Sequence, residues 1–210
     1  APYLKIMIDE NLFPLLKAQV DGKELIIGPK KIKENSRNGN SYNLQPTKFK
    51  VITNSREIKE LNVVSSGDFI IASPINIGKL EINMAGSGNI LLEKKVEGNK
   101  LEINLASSGS VVASNIDLAG IECSLAGSGY IQIAGKADRA EYNLAASGNI
   151  KAYECVTGKT ECNIAGSGNI QTHTRNQLEA NIVGSGNVYY KGNPTTSKSI
   201  IGSGKLKSAN

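Results

Sequence analysis

Six glutamates, Glu81, Glu102, Glu122, Glu141, Glu161 and Glu179, recur at intervals of 18 to 21 residues. Carboxylate oxygens are hard donors, so such a row could hold divalent cations. It could also be a charged face with no ligand at all. If the intervals bring the six side by side, neighbouring charges in water repel by roughly 0.9 kcal/mol, and something must relieve them. Lys79, Lys100, Arg139 and Lys159 each precede a glutamate by two residues, and on a strand they would share its face. This basic column is the plainer relief. Asn83, Asn104, Asn143, Asn163 and Asn181 on the other side are poor substitutes for further acidic ligands, and calcium-dependent repeats place Asp inside the Gly-rich turn, as only Asp68 does here. No metal and no cofactor is expected.

Catalytic constellations are scarce. Polysaccharide-active enzymes need paired carboxylates at a set separation or an acidic and basic cluster, and here the glutamates are uniform from repeat to repeat. The single histidine, His173, lies in Gln171-Thr172-His173-Thr174, read as an exposed corner with nothing to place it against a nucleophile. Cys123, Cys155 and Cys162 form no metal or redox motif. Cys123 and Cys162 fall two repeats apart, about 9 to 10 Å in a stacked sheet, beyond the reach of a disulfide. All three are expected as free thiols.

The element that sets these positions is Gly86-Ser87-Gly88-Asn89-Ile90 and its echoes. The second glycine falls at Gly67, Gly88, Gly109, Gly129, Gly148, Gly168, Gly186 and Gly204, with spacings of 21, 21, 20, 19, 20, 18 and 18 residues. A period near twenty marks a solenoid. A phosphate-binding loop would occur once, before a helix and with a Lys-Ser/Thr ending. Eight copies before apolar alternation read instead as corners, where glycine is expected to supply positive φ and the following Asn to tolerate that geometry or to stack as an amide ladder.

Around the corners, apolar residues alternate with polar ones as half-buried strands require. One inward column reads Ile82, Ile103, Cys123, Tyr142, Cys162, Ala180, and the next Met84, Leu105, Leu125, Leu144, Ile164, Ile182, Ile200. A second side carries Ile90, Val111, Ile131, Ile150, Ile170, Val188, Leu206, and a third, less regular one Val96, Ile116, Ala137, Val156. Three short strands per turn give an all-β fold, a single-stranded right-handed parallel β-helix with three sides and about 18–21 residues per coil. Right-handed crossovers between parallel strands are the rule, and the six-residue rhythm of the left-handed form is not visible.

The chain of 210 residues reads as a single β-helix domain, with irregular N-terminal coils over 1–60 and regular coils over 61–210. Residues 3–8 and 24–27 read as strands, residues 9–16 as a helical turn with Pro14 near its start, and Asp21-Gly22 as a hairpin turn. Residues 28–48 read as the longest loop. That loop holds Lys30, Lys31, Lys33 and Arg37, much of the excess behind a net charge of +5. No Trp is present and the ten aromatics lack the spacing of a base-stacking platform, so no nucleic-acid partner is expected. No run of eighteen apolar residues spans a membrane.

The recurring Ala-Gly-Ser-Gly-Asn-Ile, preceded by Glu-x-Asn, resembles the head GIN domain, an auto-transporter adhesin family of unknown function. Gly86 to Ile90, Gly166 to Ile170 and Gly184 to Val188 match its signature best, and Asp9-Glu10-Asn11-Leu12 followed by Val20-Asp21-Gly22-Lys23-Glu24-Leu25 is similar to its early segment. The resemblance implies a right-handed β-helix of the Bacteroidetes envelope or surface, extracytoplasmic, behind a signal peptide or lipid anchor, with no catalytic residues to carry over. The family's opening strands have no counterpart before residue 4, which leaves open what caps the first coil. The expected function is a non-enzymatic adhesion or interaction module with a glycan or protein partner. The alternatives are a polysaccharide-active enzyme and a scaffold that stacks end to end as a homo-oligomer.

Overall fold

The computed structural model describes residues 3–21, 24–30, 44, 46–55, 58–64 and 66–209. Most of the loop expected over 28–48 lies outside the described residues. The N-terminal part holds β1 (Leu4–Ile8), a 3-10 turn at Phe13–Leu15, β2 (Leu16–Asp21), β3 (Glu24–Pro29), β4 (Phe49–Thr53) and β5 (Glu60–Val63). The coils continue through β6 (Asp68–Ile71), β7 (Ile75–Met84), β8 (Asn89–Leu92), β9 (Val96–Leu105), β10 (Ser110–Leu125) and β11 (Tyr130–Ala146). They end with β12 (Asn149–Gly166), β13 (Asn169–Gly184), β14 (Asn187–Lys191), β15 (Thr195–Gly202) and β16 (Lys205–Ser208).

From β4 onward every pairing is parallel and joins each strand to its equivalent one coil later. The result is an all-β solenoid of about eight turns. Three sides per coil show in the pairing of β10 with β11, which runs over 110–113, 116–118 and 120–125 with a shift at the first corner. These are the second, third and first sides of one coil.

The core is the set of stacked columns that the alternation predicts. Ile82, Ile103, Cys123, Tyr142, Cys162 and Ala180 are all sealed from solvent, as are Ile90, Val111, Ile131, Ile150, Ile170 and Val188. Each buried aliphatic side chain contributes about 1.5–3 kcal/mol over leaving it exposed. The third side differs from the sequence reading. Leu118 pairs with Ala137 and Ala137 with Thr157, while Val156 is only half-buried and Cys155 and Thr157 turn inward. A register shift between Ala152 and Val156 causes the exchange.

In the C-terminal coils this side is a threonine core. Thr157 Oγ1 lies 2.6 Å from Thr160 Oγ1, Thr160 Oγ1 lies 2.7 Å from Thr174 Oγ1, and Thr157 donates to the His173 carbonyl at 3.1 Å. Burying hydroxyls costs little when they satisfy one another.

At the N-terminal end β1 runs antiparallel to β4 and covers its edge. Asp9 fastens the following segment by accepting from the Thr47 backbone N–H at 2.6 Å and from Thr47 Oγ1 at 2.7 Å. The β2–β3 hairpin stands apart as its own two-stranded sheet. The helical turn expected over 9–16 is realised at Phe13–Leu15, but Leu16, read as part of that turn, opens a strand over Leu16–Asp21 that pairs with Glu24–Pro29.

Candidate functional site

Pairing on the first side places the glutamates in one unbroken row: Glu81 beside Glu102, then Glu122, Glu141, Glu161 and Glu179. The row begins one coil earlier than the sequence reading put it, because Glu60 pairs with Glu81. Each carboxylate except Glu122, which has Ser124 instead, has an asparagine neighbour on its own strand. Asn83 Nδ2 donates to Glu81 Oε1 at 3.1 Å, Asn143 to Glu141 at 2.9 Å, and Asn163 to Glu161 at 3.0 Å. The same amide nitrogens also donate down the stack, Asn83 to Asn62 Oδ1 at 3.0 Å, Asn104 to Asn83 at 2.9 Å, Asn163 to Asn143 at 2.9 Å and Asn181 to Asn163 at 3.0 Å. Asn-to-Asn and Asn-to-Glu bonds together use both amide hydrogens. Ser124 replaces asparagine in the coil between Asn104 and Asn143 and divides the ladder in two.

The basic column does its expected work only in the N-terminal half. Lys79 Nζ bridges Glu81 at 3.1 Å and Glu102 at 3.0 Å, and Lys100 bridges Glu102 at 3.6 Å and Glu122 at 2.7 Å. The hydrogen bond from Asn83, followed by that from Lys79, holds the Glu81 carboxyl below its ordinary value, and Lys79 above all does the same for Glu102. Bonds to Glu102 and Glu122 raise Lys79 and Lys100 respectively. Arg139 and Lys159 form no ion pair among the described residues, and Gly120 leaves a gap in the column between Lys100 and Arg139. A shallow groove of about 650 Å³ opens there, walled by Glu122, Glu141, Glu161, Arg139 and Lys159. Among the described residues no three acidic, His or Cys side chains converge as a metal site. The carboxylates stand in a line, each but Glu122 engaged with its own asparagine.

Beside the asparagine ladder runs an exposed apolar stripe, Ala106, Ala126, Ala145 and Ala165, ending in Val183 and Ile201, which are 54% and 68% exposed. Val64 belongs to this outward stripe as well and is 81% exposed. A shallow apolar trough of about 440 Å³ lies along it over Leu105, Leu125, Leu144 and Ile164.

The glycines sit at the corners, but for a different reason from the one expected. None of Gly67, Gly88, Gly109, Gly129, Gly148, Gly168, Gly186 and Gly204 has positive φ. A Cβ on Gly88 would overlap the Gly67 carbonyl oxygen, and the same clash recurs with the preceding coil at each later corner glycine; at Gly67 the obstacle is Phe49. Positive φ belongs two residues earlier in the C-terminal coils, to Gly166, Gly184 and Gly202 and to Ala146 at 146°. The following asparagines stack: Asn169 Nδ2 donates to Asn149 Oδ1 at 3.3 Å and Asn187 to Asn169 at 3.1 Å.

The remaining candidates are dispersed. His173 is half-buried and pairs with Lys191 on the next coil. All three cysteines are free and buried. Burial pushes the Cys155 thiol up to about 12 and raises Cys123 and Cys162 as well, which keeps them protonated and unreactive. Sequence reasoning missed the second side, where Tyr130, Lys151, Tyr153, Tyr189, Lys191 and Lys207 gather. The same column arithmetic finds it once outward positions are followed, since Gln132, Lys151, Gln171, Tyr189 and Lys207 pair in succession.

Among solved structures the chain is similar to one described as a putative lipid binding protein from Parabacteroides distasonis, at 52% identity with a TM-score of 0.92, covering 100% of this chain and 85% of that one. It is also similar to a putative adhesin from Parabacteroides merdae, at 33% identity and TM-score 0.83, covering 100% of this chain and 84% of the other. A second putative adhesin from Parabacteroides distasonis matches at 29% identity and TM-score 0.87, over 99% of this chain and 84% of that one. No match is found among curated proteins. None of these three relatives is described as an enzyme. The family model described as "Putative auto-transporter adhesin, head GIN domain" matches residues 1–94 and again 88–194, and with its in-register Ser-Gly corners the chain belongs to that family.

Proposed function

We propose that this protein is a non-enzymatic interaction module of the cell envelope or surface, one domain that presents its flat strand faces to an extended glycan or protein. The observation that carries the reading is the register. Side chains of one kind repeat at one coil's spacing, about 4.8 Å, over several coils, a surface suited to a repetitive partner rather than to one small substrate. The hollows are shallow, and the described interior is filled by stacked side chains. Among the described residues no helix is long and apolar enough to cross a membrane. Glycan-array and extracellular-matrix binding with folded protein tests the proposal. Specific, saturable binding to either supports it, and uniform failure overturns it.

The apolar trough over Leu105, Leu125, Leu144 and Ile164 favours a second reading, contact with lipid at the surface of the solenoid. The relative described as a lipid binding protein gives it weight. Co-sedimentation with neutral phosphatidylcholine vesicles, abolished by Ala145→Glu, is the expected result under that reading. No co-sedimentation of the parent protein removes it.

A further inference from the structure

We propose that the second side of the C-terminal coils is a binding face for a linear acidic polysaccharide, one carrying uronate or sulfate groups. The proposal deepens the interaction-module reading by assigning a ligand class to one face. Three lysine ammonium groups on this face each sit over a tyrosine ring: Lys151 over Tyr130 at 4.6 Å, Lys191 over Tyr153 at 4.8 Å, and Lys207 over Tyr189 at 5.7 Å. These are all the cation–π pairs among the described residues. The first-side lysines Lys79 and Lys100, by contrast, are neutralised by carboxylates.

The distinction matters chemically. An ammonium held on a ring is fixed in place without losing its charge to a counter-ion. Part of the entropy cost of ordering a lysine on binding is therefore already met. Lys151, Lys205 and Lys207 make no ion pair among the described residues, and Lys191 meets one carboxylate, Glu154, at 3.7 Å. Four lysines on this side thus face a single acid. Lys151 and Lys207 belong to one column three coils apart, about 14 Å at sheet spacing. Lys191 lies in the adjacent column, beside His173.

A row of fixed positive charges on a flat sheet matches a polyanion whose charges repeat along an extended chain. Gln132 and Gln171, in the column with Lys151, offer amide groups to sugar hydroxyls. A membrane surface fits less well, since among the described residues no exposed large aliphatic side chain lies on this side in the C-terminal coils. Single-stranded nucleic acid would need bases stacking on open ring faces, and here the rings already carry ammonium groups.

The test is titration of the intact protein with polygalacturonate and with heparin, using dextran as the neutral control. Binding to one or both polyanions, weakened at least tenfold in Lys151→Gln/Lys191→Gln/Lys207→Gln and less than twofold in Lys94→Gln/Lys136→Gln/Lys159→Gln, is the expected result. The two arms separate a carboxylate from a sulfate ligand. Circular dichroism and melting temperature confirm that both variants fold. Equal weakening in the two variants means diffuse attraction to net charge and overturns the proposal. Tighter binding to phosphatidylglycerol vesicles or to a single-stranded oligonucleotide than to either polysaccharide overturns it too. If polyanions fail while another glycan or a matrix protein binds, this face is wrong and the interaction-module reading survives.

Discussion

Gly88 shows how a single residue is constrained by the coil beneath it. Its Cβ would overlap the Gly67 carbonyl, whereas a Cβ on Gly78 meets nothing within 4 Å. Gly88→Ala is therefore expected to lower stability by about 3 kcal/mol, the upper range of over-packing. Gly78→Ala is expected to be neutral or stabilising by about 0.5 kcal/mol through the unfolded chain. Paired chemical-denaturation curves check the contrast, and equal effects would mean that stacking distance is not the constraint. Ala146 is strained in the opposite sense, a side chain held at φ 146° where the later coils use glycine. Ala146→Gly should raise the melting temperature by a few degrees, because relief of about 1–3 kcal/mol of backbone strain exceeds glycine's entropic cost of about 0.5–1 kcal/mol. At Tyr142 the hydroxyl is buried without a hydrogen-bond partner, against the weakly accepting Cys155 thiol. Tyr142→Phe keeps the ring and removes the orphan, so a gain of about 1 kcal/mol is expected.

The first-side ladder is the element on which charge and hydrogen bonding meet. The folded-state pKa values of Glu81 and Glu102 lie below the ordinary 4.5, so their contribution is complete above that pH and is lost as pH falls through the depressed values. Lys79 and Lys100 lie above the ordinary 10.5, so theirs is complete below pH 10.5 and lost only as pH rises past it. Melting temperature against pH should hence be flat between these limits and fall on the acid side. Glu102→Gln should flatten the acid limb, since Glu102 contacts both lysines; an unchanged limb would locate acid sensitivity elsewhere. Asn163 donates to Asn143 and Glu161 and accepts from Asn181. Asn163→Ala should cost about 1–3 kcal/mol, by the typical worth of three partly exposed bonds.

As a whole molecule, the solenoid has one continuous core and two chemically distinct outer faces. The first side carries opposed columns that neutralise one another in the N-terminal coils, and the second carries lysines seated on tyrosines in the C-terminal coils. All three thiols lie in the shared core, so a thiol reagent should label none of them in native protein and all of them together on unfolding. Labelling of Cys155 alone under native conditions would instead reveal local opening of the third side.

The sequence by itself determined the period, the strand faces and the inward columns, because a stacking unit must repeat its apolar positions and a strand alternates strictly. It also determined that the glutamates form a row, since equal spacing in the chain becomes one coil in space. Tertiary structure alone decided where the pattern breaks. The shift between Ala152 and Val156 that turns Cys155 inward, and the strand at Leu16–Asp21, depend on neighbouring coils and on a hairpin partner rather than on local preference. The corner glycines were legible as corners, but their reason was not. A clash with the carbonyl one coil below exists only once the coils are stacked. The tyrosines and lysines of the second side could be placed on one face by their outward columns, but which ring each ammonium covers, Tyr130 under Lys151 and Tyr153 under Lys191, depends on side-chain geometry across coils.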